Sequence, residues 1–339
     1  MEAKIQFALL VTGLAAGLIS GRLWIPAARK LKTGKFDIYL GDRFKKDDSE
    51  PRMGGAVIFL SLVISCFAAL AFMKAESSQA AAMGCVCAFL GIMLTVGLLE
   101  DHGKDTRTNI GIKPLYRFLI KLTACIGLVL GLKLAGYSCG EVLLPFRWGY
   151  IHLGILEVPL NALLMTGLIT AVEIHDCHSG YHETGIDGLC VLSVMTASLG
   201  LSAGFAAGGK ILPQLVCLCL AVSCGAFEVY SISPSKIYPG QSGGLVLGGA
   251  LCSIMVLSGL QLAVVFAMTA IIADALCAAL QRAAFAKTKK LLFKGASLHE
   301  HLRAKGFGDY GVMGLFGMTQ LLGSAAAIAF IIYENKLAL

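Results

Sequence analysis

The sequence predicts an all-α, polytopic membrane protein, and three observations predict it. Of its 339 residues 57% are hydrophobic and 14% charged, whereas a soluble domain carries charge at about a quarter of its positions. The apolar residues form long runs, each near the ~20 residues that a bilayer core requires. Lys and Arg gather in alternate connecting loops. The first apolar run is too long for a cleavable signal, and no small-residue cleavage site followed by a soluble chain appears. Most of the twelve cysteines lie inside apolar runs, where they read as small core residues. Cys217 and Cys219 are too close together for a metal-binding pair, so no zinc or disulfide framework emerges.

Ten spans follow in order, at about 5–27, 54–73, 80–99, 115–134, 157–172, 188–207, 211–230, 243–259, 260–281 and 312–333. The fifth is the weakest, because Glu157, Pro159 and Asn161 crowd its start. The eighth and ninth meet at Ser258-Gly259. No internal repeat is visible, so residues 1–339 read as one integral membrane unit. With both termini outside, the cytoplasmic side holds 21 of the 28 Lys and Arg, and the five polar loops converge on that face. A basic cytoplasmic surface suits anionic lipid headgroups, and nothing suggests nucleic acid.

The loops carry the chemistry. Glu173 to Asp187, EIHDCHSGYHETGID, packs four acids and three histidines between two apolar runs, with no Lys or Arg. Crowded acids need a cation nearby: a metal, a basic loop or a basic ligand. A solvated loop is the plainer reading. His175, His178 and His182 would share a helix face, a zinc-like spacing, but Ser179-Gly180 breaks helices. PRMGG at 51–55 enters the second span, and its two glycines permit close backbone approach. Glu100-Asp101 closes the third span, followed by Lys104, Lys113 and Lys121. An acid pair at a membrane boundary is either functional or neutralised by such lysines. The turn PSKIYPGQSGG could present backbone N–H groups of Gly240, Gln241 and Ser242 to a phosphate. In SLHEHLRAKG, His299 and His301 face one site only if the segment is extended.

Together these motifs resemble the polyprenyl-phosphate N-acetylhexosamine-1-phosphate transferases over nearly the whole chain. PRMGG and the histidine loop favour the muramoyl branch. The resemblance implies an enzyme dependent on magnesium (Mg2+) in the bacterial cytoplasmic membrane, with its active site on the cytoplasmic face. Undecaprenyl phosphate would attack UDP-N-acetylmuramoyl-pentapeptide, or a related UDP-sugar, releasing UMP and giving the first lipid-linked peptidoglycan precursor. A homodimer is implied by likeness alone. The resemblance assigns Asp101 to the lipid phosphate, with Glu100 beside it, and Asp176 and Asp187 to the metal or uridine side. Lys104, Lys113, Lys121, Glu173, Gly240, Ser242, His299 and His301 fall to substrate. Gln241 takes the place of a metal-binding aspartate.

The chain departs from the family pattern at several points. Glu100 replaces an aspartate and Glu173 an asparagine, and about eight residues, Cys177 to Thr184, are inserted before Asp187-Gly188-Leu189. Glu300 interrupts three histidines, and Ser231 replaces an asparagine. These departures admit a relative that binds nucleotide-sugar or prenyl phosphate without turnover. A transporter or a metal-binding membrane protein are the other classes, although a transporter's charges would interrupt its helices.

Overall fold

The computed structural model describes residues 3–31, 50–105, 112–145, 148–176 and 186–338. Among the described residues, twelve α-helices, one small hairpin and a 3-10 turn at Gly154–Leu156 make up its regular elements. The helices are α1 (Ala3–Lys30), α2 (Gly55–Met73), α3 (Ser77–Asp105), α4 (Pro114–Leu134), α5 (Glu157–Asp176) and α6 (Leu189–Ala207). They continue with α7 (Ile211–Ser231), α8 (Gly240–Ser258), α9 (Gln261–Ala267), α10 (Thr269–Thr288), α11 (Leu298–Ala304) and α12 (Asp309–Ala338). All but α9 and α11 are long and apolar enough to cross a bilayer, which gives ten spans among the described residues.

The central helix is α8. All 19 of its residues are buried, between α2, α3, α5 and α7. Its sequence explains the burial: GQSGGLVLGGALCSIMVLS is rich in small residues, so neighbouring backbones approach closely. A Cβ on Gly97 of α3 would lie 2.3 Å from Ser242 Cα, and one on Gly55 of α2 2.3 Å from the Ser242 carbonyl carbon. Gly97→Ala is therefore expected to cost about 1–3 kcal/mol through overpacking. The thermal unfolding midpoint in detergent checks this.

At the end of the bundle away from the polar loops, β1 (Glu141–Leu143) pairs antiparallel with β2 (Tyr150–His152). Here the crowded start of the fifth span is resolved. Glu157 is held by Lys133 Nζ (2.5 Å) and the Ser138 hydroxyl (2.7 Å), while Asn161 donates to the carbonyls of Cys139 and Glu157. Burial pushes the Cys139 thiol up to about 12, so it stays protonated and unreactive at neutral pH.

The ninth span differs from its expected bounds. The apolar run from 260 divides at Met268 into the short α9 and the longer α10, with Gln261 at the hairpin end and Asp274 already at the polar end beside His175. Hydropathy does not register the break, because its freed backbone groups are satisfied from another helix. Gln320 on α12 donates its amide to the Ala267 carbonyl and accepts the Ala270 N–H (3.2 Å). A broken helix survives at membrane depth when a neighbour re-satisfies it.

Candidate active site

The polar ends of α3, α4, α5, α7, α8, α10 and α11 carry the ionisable groups, and PRMGG forms part of the frame. Tyr238 donates its N–H to the Pro51 carbonyl (2.9 Å), and Gly54 and Gly55 donate to the carbonyls of Tyr238 and Pro239 (3.0 and 3.2 Å). The glycine-rich turn is thereby strapped to the start of α2. Gly240 has a φ of +69°, and a Cβ there would lie 2.0 Å from the Arg52 carbonyl oxygen. Only glycine fits both constraints.

Asp101 closes the N-terminus of α8. Its carboxylate accepts the backbone N–H groups of Gln241 (2.8 Å) and Ser242 (3.0 Å), and the side chain is buried. A carboxylate at a helix N-terminus is favoured by the exposed N–H groups and the helix dipole. Two of the three donors that the turn was expected to offer a phosphate, those of Gln241 and Ser242, are therefore taken by Asp101.

Along α4, Lys113, Arg117 and Lys121 recur every four residues and so share one face. They descend from exposed Lys113 to half-buried Arg117 to buried Lys121. Each of the lower two meets an acid. Arg117 Nε lies 2.7 Å from Glu100, and Lys121 Nζ lies 2.5 Å from Glu173 and 2.7 Å from the Thr170 hydroxyl. Glu173 also accepts the side-chain amide of Gln241. Gln241 and Glu173 are thus in direct contact, with Lys121 completing the cluster.

The donor set at Gln241 does not fit magnesium. Its amide N–H is turned to Glu173, and the Lys121 ammonium stands where a second cation would have to sit. Asp176 is buried at the end of α5 and Asp187 is half-buried before Gly188, and both carry carboxylate oxygens of the hard kind that magnesium accepts. Gly188 has a φ of +81°, and a Cβ there would lie 2.9 Å from the carboxylate of Glu228, which is buried on α7.

The histidine loop is helical, not extended. Within α11, His299 turns inward and is fully buried against Asp274 of α10, while His301 is half-buried, accepts the Lys294 N–H (3.1 Å) and packs edge-on to Phe293. The two histidines diverge, as positions two apart on a helix must. His175 joins His299 at Asp274. His178, His182, the rest of the insertion from Cys177 to Thr184 and the Lys104 side chain lie outside the described residues.

Three residues were not anticipated. Arg117 is the middle rung between two lysines already singled out, and the four-residue spacing was its signal. Asp274 and Glu228 are lone acids inside apolar runs, a costly placement that marks a role by default.

Comparisons with known proteins agree with this geometry. The chain is 27% identical over 325 residues to a protein of Shouchella clausii (strain KSM-K16) named phospho-N-acetylmuramoyl-pentapeptide-transferase, covering 95% of this chain and 96% of that one. Proteins of the same name from Clostridium botulinum (strain Alaska E43 / Type E3) and Staphylococcus carnosus (strain TM300) are 26% and 23% identical. They cover 92% and 93% of this chain, and 92% and 96% of their own. The family model described as glycosyl transferase family 4 matches residues 82–259, a stretch that contains Glu100, Asp101, the α4 ladder, Glu173, Asp176, Asp187 and the whole of α8. The chain belongs to glycosyl transferase family 4.

Proposed function

We propose that the protein, acting as one membrane unit over 1–339, transfers phospho-N-acetylmuramoyl-pentapeptide from UDP to undecaprenyl phosphate. UMP leaves, and the product is the first lipid-linked peptidoglycan precursor. The site faces the cytoplasm of a bacterium, the side on which the positive charge of the loops concentrates. The observation that carries this reading is the cationic ladder of α4 set against the acids of α3 and α5. A diphosphate needs positive groups to hold it and an acid to orient the attacking lipid phosphate. Exposed Lys113 and half-buried Arg117 and His301 would meet the diphosphate. Lys121 holds Glu173, and Asp101 is the acid assigned to the lipid phosphate. Asp176 and Asp187 would hold magnesium, which spreads the diphosphate charge when bound.

The lock between Gln241 and Glu173 favours a second reading, a relative that binds these substrates without turnover. Purified protein given both substrates decides between them. Magnesium-dependent UMP release is expected, and none at any magnesium concentration overturns the transferase reading. Gln241→Asp sharpens the test, because it breaks the amide contact and sets a new carboxylate against Glu173. Repulsion should make the variant less heat-stable without magnesium. Magnesium should restore it and shift the half-maximal concentration for UMP release downward about tenfold, or about 1.4 kcal/mol. An unchanged magnesium response would place the ion away from Gln241.

A further inference from the structure

We infer that His175, Asp274 and His299 form a binding site for a divalent transition metal of the zinc class, separate from the diphosphate site. One ligand atom from each residue lies within 4.8 Å of the others, and all three side chains are fully buried. They come from α5, α10 and α11, so nothing local in the chain brings them together. Two imidazoles and one carboxylate are a ligand set that zinc accepts, with a fourth position left to a further ligand.

The hydrogen-bond arithmetic is the stronger argument. Asp274 Oδ1 accepts the backbone N–H groups of Leu298 (2.8 Å) and His299 (3.2 Å), which turns Oδ2 toward the imidazoles. His175 Nδ1 and His299 Nδ1 stand 2.8 and 2.9 Å from that single oxygen. On its other side, His175 Nε2 faces the Ser193 hydroxyl at 3.1 Å, and Ser193 already donates to the Leu189 carbonyl at 2.8 Å. Both nitrogens of His175 therefore face acceptors. A neutral imidazole has one N–H, so with the Ser193 hydroxyl bonded to Leu189 the ring is either doubly protonated or gives one contact to a cation, whereas a hydroxyl turned to Nε2 would satisfy the neutral ring. Phe316 stacks on His175, with centroids 5.4 Å apart, which excludes water and raises the cost of an uncompensated charge on Asp274. A metal ion meets both demands. Tetrahedral zinc spaces its ligand atoms about 3.3 Å apart, so the imidazoles need withdraw by only about half an ångström. The ion would pin α5 to α10 and α11, and with α11 the segment that carries His301.

The test reads metal, not transfer, so it stands whether or not the protein turns over substrate. Full-length protein in detergent, loaded with zinc and passed over a chelating resin, should keep about one zinc per chain. His175→Gln and His299→Gln should lower zinc affinity by about 100-fold or more, since each removes a direct ligand where even an outer-shell loss costs 10–100-fold. The unmodified chain supplies a second measurement that does not depend on the folding of either variant. Stripping it with a strong chelator should lower its unfolding midpoint, and zinc should restore the midpoint where magnesium does not. Cobalt in place of zinc should give visible bands of a nitrogen and oxygen site. Three results would overturn the inference: a folded chain that retains no zinc, zinc retained undiminished in both folded variants, or a cobalt–thiolate band. The first would leave an imidazolium–carboxylate cluster in its place.

Discussion

Lys121→Met is expected to destabilise the protein by about 3–5 kcal/mol, because it strands the buried carboxylate of Glu173 without its cation. Lys121 and Glu173 side chains are 4% and 6% exposed, so water cannot take over the lost partner. The pair itself need not contribute much net stability, since desolvating two charges offsets most of their attraction. Breaking it from one side is what costs. Glu173→Gln in the Lys121→Met background should therefore restore most of the loss. Unfolding midpoints of the two single variants and the double variant measure the coupling directly. A double variant no more stable than Lys121→Met would show that Glu173 takes its compensation elsewhere.

Asp101→Asn is the second large effect. The carboxylate accepts two backbone N–H groups at the head of α8. Asparagine keeps one acceptor oxygen and turns its own NH2 group toward the other donor. One charge-assisted hydrogen bond is lost, worth about 1.5–3 kcal/mol, and a donor is left facing a donor. The helix should still form, because its remaining length is buried among small-residue contacts. Its first turn should loosen, with faster amide exchange at Gln241 and Ser242. UMP release should fall by at least about 100-fold if the same carboxylate orients the lipid phosphate, as general acid–base groups contribute 10²–10⁴-fold. Unchanged exchange with full UMP release would remove Asp101 from both roles.

The spans were legible because bilayer crossing is a matter of length and apolarity, and both are local properties. Even the fifth, with Glu157 and Asn161 at its head, begins where the sequence placed it. Its polar groups are satisfied by the hairpin segment at its end of the bundle. The break at Met268 was not legible, since the group that permits it, Gln320, lies more than fifty residues on. In the site, convergence of the segments that carry Gln241 and Glu173 on one face followed from the topology, whereas their direct contact and the inward turn of His299 did not. That turn depends on Asp274, an acid lying within an apolar run whose partners come from two other helices. Arg117 was within reach, because its spacing to Lys113 and Lys121 is written plainly in the chain.

The break between α9 and α10 has a mechanical consequence. A discontinuity in a membrane helix ordinarily works as a joint. This one is latched, for if α10 swung away from α12 the Ala267 carbonyl and the Ala270 N–H would lose Gln320 and face hydrocarbon. Each such orphaned group costs several kcal/mol in lipid. The discontinuity therefore behaves as a weld, and α9, α10 and α12 travel as one rigid body. Asp274 of α10 and Phe316 of α12 sit on the latched helices, so the same latch holds two walls of the His175 cluster together.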